Sequence, residues 1–416
     1  DEMEAWIGPM FSQIENRNLG PVSRDEPLYV EGSLPVQLYY QTIKDGYKIS
    51  YNFPVPATYG YYEKKPDQYI SNLLGHEGEG SLYQRLKRAG WIESLAAGVA
   101  NVDERNALIV LSIDLTESGY ANLERINDLT FRYIELLKKS PPEPWRYAEQ
   151  ARVAELGFRF QEQSSSTGFV YRTAPALMHY PPDDVLVAPY LMSEFDASLI
   201  EDFLARLTVD NVIVEIGGPD VPVDSVEPWF KVPYKLVSGP PAGLPAGALQ
   251  GASAIATAGG ELRLPAPNPY LPADLQVLEN DDKLPELRYE GPGIALWEDR
   301  DTSFGTPRAN LFLSLGMDGG IQSAEDLAMA SIYRSLVTDA LSAEVYPAYL
   351  AGLGYGIDVN GLGFELSVSG YSDKQLVLLR TVLGGLTGLE IDPKRFSAFK
   401  NELLREWGNY RDERPY

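Results

Sequence analysis

The 416-residue chain contains no cysteine and only two histidines, His76 and His179. Disulfide bridges and metal sites built from thiolates are therefore excluded. Neither histidine belongs to a His-x-x-Glu-His or His-x-x-x-His motif, and the adjacent His76 and Glu77 would diverge by ~100° on a helix. We therefore expect no complete zinc site in this sequence. A serine hydrolase is also disfavoured, because no Gly-x-Ser-x-Gly elbow occurs and two histidines leave little room for a triad.

Positive charge is scarce, with 35 Lys and Arg against 59 Asp and Glu, for a net charge of −24. Nucleic acid and anionic membranes repel such a chain at long range, so neither is expected as a partner, whereas basic peptides are attracted. An ordinary solvated acidic surface is the alternative interpretation of this charge. No apolar run reaches the ~18 residues of a membrane-spanning helix, and no membrane insertion is expected.

The sequence does contain a glycine-rich stretch between two helical patterns. Pro66 opens a short helix, and three glycines within residues 75–80 end it and expose backbone amides. Ser81 is placed to cap the next helix, with a capping-box partner three residues later, and Gly90 to end it in a left-handed conformation. The predicted order is helix, glycine turn, helix, and then an irregular run through residues 91–98. A packing corner without further function is the alternative interpretation.

Four segments of the chain carry a family resemblance. Leu74-Gly-His-Glu-Gly-x-Gly-Ser-Leu82, followed by Gly90-Trp91, resembles the second domain of the pitrilysin and insulin-degrading enzyme family, zinc metallopeptidases with an inverted His-x-x-Glu-His motif. Three distant segments are similar to the family's middle region, in the same order: Glu227-Pro-Trp-Phe230 with Tyr234, Leu264-Pro-x-Pro-Asn-Pro-Tyr-Leu-Pro272, and Tyr349-Leu-Ala-Gly-Leu-Gly354 with Gly370-Tyr-Ser-Asp-Lys-Gln375. The resemblance covers nearly the whole chain. It implies an α+β fold of two tandem homologous domains, each a sheet with helices packed on one face, the second truncated.

The spacing of apolar residues predicts the elements along the chain. Helices are expected at residues 1–14, 120–137, 145–160, 173–179 and 198–207, and strands at residues 34–40, 47–53, 108–115 and 212–216. The turn residues 44–46 between the first two strands predict that these strands pair with each other, as in a hairpin.

Part of this pattern occurs twice. Ser81-Leu-Tyr-x-x-Leu86 is matched by Ser331-Ile-Tyr-x-x-Leu336, and Ala89-Gly90-Trp91 is matched by Ala351-Gly352-Leu353. We therefore expect a duplicated domain in which residues 108–115 and 364–368 form equivalent strands.

The repeat and the resemblance together predict four segments. They are a terminal helix of a preceding catalytic domain (1–21), a second, non-catalytic domain (22–239), a Pro-, Gly- and Ala-rich linker (240–288) and an incomplete third domain (289–416). We expect the linker to follow the protein surface, with its larger side chains against a domain. These side chains are Leu262, Leu264, Tyr270 and Leu271.

The resemblance also implies a non-catalytic exosite that holds the N-terminal end of a peptide substrate as an added strand. The residues concerned are Gly75, His76, Glu77, Gly78, Leu95, Ala96, Ala97, Gly98 and Val99. Strand addition requires exposed backbone groups and small side chains, which the glycines and alanines provide. The carboxylate of Glu77 is placed to meet the peptide's α-amine. Relatives often have glycine where Ala97 stands, so a narrower groove is expected.

By the same resemblance, the intact parent is expected to be a zinc metalloendopeptidase that degrades peptides, and this segment an inactive middle region that forms chamber wall and exosite. Zinc is then a cofactor of the parent and not of this segment, and the partners are peptide substrates and the parent's remaining domains. Bacterial relatives make a periplasmic location the expectation. The alternative is a non-catalytic peptide-binding subunit that works with a separate active peptidase. A His-x-x-Glu-His motif upstream would favour the metalloendopeptidase over the separate subunit.

Overall fold

The computed structural model describes residues 2–15, 17–18, 28–43, 45–244, 261–278, 284–301, 303–317 and 319–409. Several predicted features lie outside the described residues. They are residues 19–21 of the predicted terminal segment, position 44 of the predicted turn, residues 245–260 and 279–283 of the predicted linker, and residues 410–416.

The described residues form a mixed α/β structure. The strands are β1 (Val36–Gln41), β2 (Tyr47–Pro56), β3 (Ile92–Asn101), β4 (Asn106–Leu115), β5 (Ile213–Gly218), β6 (Ser225–Val226), β7 (Pro233–Ser238), β8 (Glu286–Gly291), β9 (Ile294–Glu298), β10 (Arg308–Gly316), β11 (Gly354–Asn360) and β12 (Gly363–Tyr371). The helices are α1 (Glu2–Phe11), α2 (Pro66–Leu74), α3 (Leu82–Arg88), α4 (Glu117–Tyr120), α5 (Leu123–Lys139), α6 (Pro144–Arg159), α7 (Ser166–Ala176), α8 (Ala197–Ala205), α9 (Ala324–Leu350), α10 (Ser372–Gly388) and α11 (Pro393–Asn409). None of these helices is both long and apolar enough to cross a bilayer.

The first unit is built on a seven-stranded sheet in the order β3-β4-β2-β5-β1-β7-β6. Alternate residues of β4, from Ala107 to Leu115, are buried, and they face a core to which α2, α3, α5 and α8 contribute. This alternation is what a sheet with helices packed on one face requires.

The predicted pairing of β1 with β2 is wrong. Strand β5 lies between them, parallel to β1 and antiparallel to β2. A strand that follows β2 by more than 150 residues in the chain therefore takes the place that the turn at residues 44–46 suggested for a hairpin. Turn residues report only local chain reversal, and here the reversal leaves room for a third strand.

The second unit repeats part of the first, with a three-stranded sheet in the order β10-β12-β11. In each unit the last of three strands lies in the middle, β4 between β2 and β3 and β12 between β10 and β11. The predicted equivalence of residues 108–115 and 364–368 is confirmed. One difference matters for the site: where the first unit has α2, a glycine turn and α3, the second has the single helix α9.

The segment from residue 261 to 275 connects the two units along the surface, as predicted. Leu262 and Leu264 pack on the core of the first unit, and Tyr270 belongs to the core of the second, with Leu271 against it. The N–H of Arg263 donates to the carbonyl oxygen of Gly80 over 3.0 Å, so the segment also touches the glycine turn.

Candidate peptide-binding site

The glycine turn between α2 and α3 is held by the local signals that the sequence predicts. Helix α2 begins at Pro66, and the Oγ of Ser81 accepts a hydrogen bond from the N–H of Gln84 over 3.1 Å. Gly90 follows α3 with a φ of +72°, the left-handed conformation that glycine adopts without strain. Pro66 and Gly90 thus mark the outer ends of the two helices, and Ser81 marks where the chain leaves the turn.

The expected irregular run after Gly90 is wrong, because residues 92–101 form strand β3. Alanine and glycine favour strands weakly, so this stretch has little strand signal of its own. Its pairing with β4 supplies the missing stabilisation. Strand β3 ends the order of its sheet, so within the described residues no strand lies along its outer edge.

The register identifies which backbone groups face that open edge. It is constant from residue 94 to residue 101, and one residue further the N–H of Val102 donates to the carbonyl oxygen of Asn106 over 2.8 Å. Hydrogen-bonded and non-bonded pairs alternate along an antiparallel ladder. Between residues 94 and 101 the residues bonded to β4 are therefore 94, 96, 98 and 100. The N–H and C=O groups of the odd-numbered residues are directed outward, and Leu95, Ala97 and Val99 are those of the predicted site.

A groove of about 290 Å³ lies between this strand and α2. Three elements line it. They are α2 with the start of the turn (Asp67, Gln68, Ser71, Asn72 and Gly75), β3 (Ala96, Ala97, Gly98 and Val99) and α9 (Tyr346). The five lining residues between positions 67 and 75 are spaced by one, three, one and three residues. This spacing places them on one face of a helix. One polar helix face thus runs beside the outer edge of β3.

Gly75 sets the distance between the helix and the strand. A Cβ atom at this position would lie 3.3 Å from both the Cβ and the N of Ala97, and 3.2 Å from the carbonyl oxygen of Ser71. Only glycine fits here without a shift of the neighbouring backbone. The methyl group of Ala97 occupies part of the space between helix and strand, and the narrower groove relative to other family members stays a prediction.

The ring of His76 is buried, 6% exposed, and does not line the groove. Its Nδ1 accepts a hydrogen bond from the N–H of Gly78 over 3.0 Å. Burial, and after it the charge of Arg146, lowers the pKa of His76 to about 4, so the ring is neutral near pH 7. In this position His76 holds the glycine turn in shape, and a side chain on Gly78 would meet its Cε1 atom at 2.5 Å.

The carboxylate of Glu77 is half-buried beside the turn. Burial raises the pKa of this carboxyl, offset in part by Lys87. No described cation lies within ion-pair distance of Glu77. A half-buried carboxylate without an ion-pair partner is stabilised by any cation that reaches it.

The structure therefore brings together five of the nine predicted site residues along one groove: Gly75, Ala96, Ala97, Gly98 and Val99. His76, Glu77 and Gly78 lie in the turn at one end, and the Leu95 side chain is buried in the core. The helix face that begins at Asp67 was not among the predicted site residues. Its helical spacing from Gly75 was a signal that could have found it. Tyr346 has no such signal, because it comes from the other unit.

The second histidine and the described carboxylates do not form a metal centre. His179 stacks on Tyr59 with ring centroids 3.8 Å apart. Among the residues that the structure describes, no group of three or more His, Asp or Glu side chains is arranged to hold a metal ion.

Comparison with known proteins assigns both parts of the chain. Residues 1–153 match the family model described as "Peptidase M16 inactive domain", and residues 158–416 match "Middle or third domain of peptidase_M16". The chain belongs to the peptidase M16 family. The suspected resemblance is thereby confirmed, and the chain corresponds to non-catalytic portions of its relatives. The two matches meet within α6, and the predicted domain limits stay a prediction.

Among curated relatives, the insulin-degrading enzyme of Homo sapiens is 31% identical over all of this chain and 41% of its own length. "Insulin-degrading enzyme-like 1, peroxisomal" of Arabidopsis thaliana is 30% identical over all of this chain and 43% of its length. The chain thus spans about two fifths of the length of the M16 relatives it matches. A peroxisomal relative gives no support to the periplasmic location, which stays a prediction.

The crystal structure of pitrilysin covers 90% of this chain and 40% of its own, with a TM-score of 0.77 and 20% sequence identity. This likeness shows the fold, which confirms the expected arrangement of two tandem M16 domains.

Proposed function

We propose that this chain is the non-catalytic middle part of an M16 zinc endopeptidase, and that β3 binds the N-terminal end of an extended peptide by strand addition. The observation that carries the proposal is the open edge of β3, bordered by a polar helix face and a glycine turn. The outward N–H and C=O groups of Leu95, Ala97 and Val99 form the ladder for the peptide. Small side chains along this edge leave room for its backbone.

Main-chain pairing supplies most of the attraction in this mode. Each backbone hydrogen bond contributes a net ~1 kcal/mol. Ordering a flexible peptide offsets much of that gain. We therefore expect a dissociation constant in the micromolar range or weaker, with broad tolerance of peptide sequence.

The glycine turn determines which end of the peptide lies beside it. The half-buried Glu77 carboxylate is a partner for a free α-amine, and the net charge of −24 favours the approach of cationic peptides. Acetylation of the peptide's amine removes this charge and should weaken binding. Glu77→Gln should weaken binding in the same way. Because both changes remove the same interaction, the Glu77→Gln chain should bind the acetylated peptide no more weakly than it binds the free-amine peptide.

Catalysis requires the rest of the parent. In this proposal the zinc ion is held by a domain outside this sequence, and the 416-residue chain hydrolyses no peptide. Chelator-washed, zinc-reloaded chain should retain no stoichiometric zinc by elemental analysis and leave a quenched fluorescent peptide intact. Stoichiometric zinc together with hydrolysis would contradict the proposal.

The deciding experiment uses peptides N-methylated at alternate residues, in two sets offset by one residue. In a strand added to β3, one set of N–H groups points at the protein and the other at solvent. Two methyl groups in the first set should weaken binding at least ~10-fold, and two in the second should change it little. Equal losses for both sets would exclude strand addition.

Proline substitutions test the protein side of the same ladder. Val99→Pro removes an outward N–H, and proline is tolerated on an edge strand whose N–H faces solvent. We expect near-native circular dichroism and loss of peptide binding. Gly98→Pro is the matched control, since it removes an N–H bonded to β4, leaves the partner carbonyl unpaired and should lower stability by about 1 to 3 kcal/mol.

A further inference from the structure

The groove beside β3 contains one charged side chain among its lining residues, that of Asp67. This residue is in the first turn of α2 and is only 9% exposed. No cation in the described part of the chain lies within ion-pair distance of its carboxylate. Burial raises the pKa of Asp67, offset in part by the charge of Lys65, which is itself largely buried, and by hydrogen bonds from the backbone N–H groups of Asp67 and Gln68. A buried carboxylate in this state is stabilised by a cation that enters the groove.

Ser71 lies one helical turn further along the same face and also lines the groove. It is 9% exposed, and its Oγ is buried without a hydrogen-bond partner. Buried hydroxyl groups without a partner are uncommon in folded proteins. The neighbouring Asn72 is already engaged, because its Oδ1 accepts a hydrogen bond from Gln150 over 3.1 Å. Within the described residues, the Asp67 end of the groove thus has a carboxylate without an ion-pair partner and a hydroxyl without a hydrogen-bond partner.

We propose that Asp67 and Ser71 form a subsite for a cationic side chain, lysine or arginine, of the peptide bound along β3. This inference rests on the proposed function and adds to it a preferred substrate class. A lysine ammonium carries three N–H donors and an arginine guanidinium five, enough for the carboxylate and the hydroxyl together. An acidic side chain at the same position would face the buried carboxylate of Asp67 and be rejected.

The helix and strand spacings give the position of this side chain in the peptide. Asp67 precedes Gly75 by eight residues, or about 12 Å along α2 at 1.5 Å per residue. An extended peptide advances about 3.4 Å per residue. If its amine lies by the glycine turn, the cationic side chain belongs to the fourth or fifth residue. Side chains alternate between the two faces of a strand, so only one of these two positions is expected to show the preference.

The test uses the whole chain and free-amine octapeptides of alanine and threonine with a C-terminal fluorophore. Lysine, norleucine or glutamate is placed at residue 4 or at residue 5, and binding is followed by fluorescence anisotropy. We expect lysine to bind about tenfold more tightly than norleucine at one of the two positions, and glutamate more weakly than both. Asp67→Asn should abolish the lysine preference, so that the lysine and norleucine peptides bind this variant equally. Ser71→Ala should reduce the preference by about half.

Glu93→Gln is the matched control, because it removes the same charge from an exposed position on β3 outside the groove. It should leave the lysine preference intact. Equal binding of lysine and norleucine peptides, or the same preference in Asp67→Asn and the unsubstituted chain, overturns this inference and leaves strand addition standing. If the Asp67 carboxylate only stabilises the charge of Lys65, Asp67→Asn lowers thermal stability and leaves the lysine preference unchanged. That result overturns the inference as well. Failure of every peptide to bind overturns the proposed function together with this inference.

Discussion

The hydroxyl group of Tyr346 donates a hydrogen bond to the carbonyl oxygen of Gly75 over 3.4 Å, across 271 residues of chain. The same ring packs edge-on against His76, with ring centroids 4.8 Å apart. Tyr346 belongs to α9 of the second unit, and Gly75 and His76 to the first. One wall of the groove is therefore supplied by the other unit, and the site is complete only when the two units are in contact.

Tyr346→Ala should destabilise the chain by about 3 kcal/mol, because it removes a largely buried aromatic ring and leaves a cavity between the units. Tyr346→Phe keeps the ring and loses only a long hydrogen bond, so we expect a loss below 1 kcal/mol. Urea unfolding followed by circular dichroism measures both. Tyr349→Ala, at a 74% exposed position on the same helix, is the control and should change stability by less than 0.5 kcal/mol. Equal losses at the two positions would contradict the packing role of Tyr346.

Stability should fall as the pH is lowered from about 6.5 to about 4 because of His76. Its pKa is about 4 in the folded chain, against 6.5 without the fold. The unfolded chain therefore takes up the proton first, and each pKa unit corresponds to about 1.4 kcal/mol, for a total of about 3 kcal/mol. Urea midpoints at pH 7, 5.5 and 4.5 measure this loss. His76→Asn, whose side-chain oxygen can accept the Gly78 hydrogen bond, should show a smaller decrease over this range. An unchanged decrease would mean that other groups cause it.

Gly75→Ala should lower stability by about 1 to 2 kcal/mol and weaken peptide binding, since the new methyl group forces α2 away from Ala97. The matched control is Gly98→Ala, where an added Cβ has no atom within 4 Å. That change should leave stability within 0.5 kcal/mol of the original. Thermal unfolding of both variants makes the comparison. A neutral Gly75→Ala would show that the helix and the strand have more freedom than their spacing indicates.

Asn268→Ala should loosen the connection between the units. The side-chain amide of Asn268 donates to the carbonyl oxygen of Pro347 over 2.7 Å, while its backbone N–H donates to Glu149 of the first unit over 3.0 Å. Loss of the side chain removes this hydrogen bond at a cost of about 1 kcal/mol, since the Pro347 carbonyl keeps the bond from the N–H of Ala351 over 3.1 Å. Limited proteolysis should then cleave the connecting segment faster. Gln276→Ala, an exposed position directly after this segment, should not alter the cleavage rate.

The sequence predicted those parts of the fold that depend on neighbouring residues. The start of α2 at Pro66, the cap at Ser81 and the left-handed Gly90 are each set within one helical turn. The contact of Leu262 and Tyr270 with the two cores was also predictable, because large apolar side chains stand out in a segment of Pro, Gly and Ala. In each case the deciding interaction lies close in sequence or depends on side-chain type alone.

The errors arose where pairing is non-local. Nothing near residues 44–46 indicates that β5, far along the chain, separates β1 from β2. The alanine and glycine run of β3 has weak strand propensity, so only its pairing with β4 makes it a strand. For the site, the sequence pointed to the right segment but not to the alternation that directs the N–H of Ala97 outward and that of Gly98 toward β4. That alternation depends on register, which a single sequence does not reveal.

The open edge of β3 has a consequence for the behaviour of the isolated chain in solution. Unpaired strand edges are templates for other chains of the same protein, and long, flat ones seed aggregates. A net charge of −24 keeps copies apart at low ionic strength. Salt shortens the range of this repulsion to about 8 Å at 0.15 M and about 3 Å at 1 M. Concentrated, salt-rich samples should therefore self-associate through β3, and a peptide that occupies the edge should keep them monomeric.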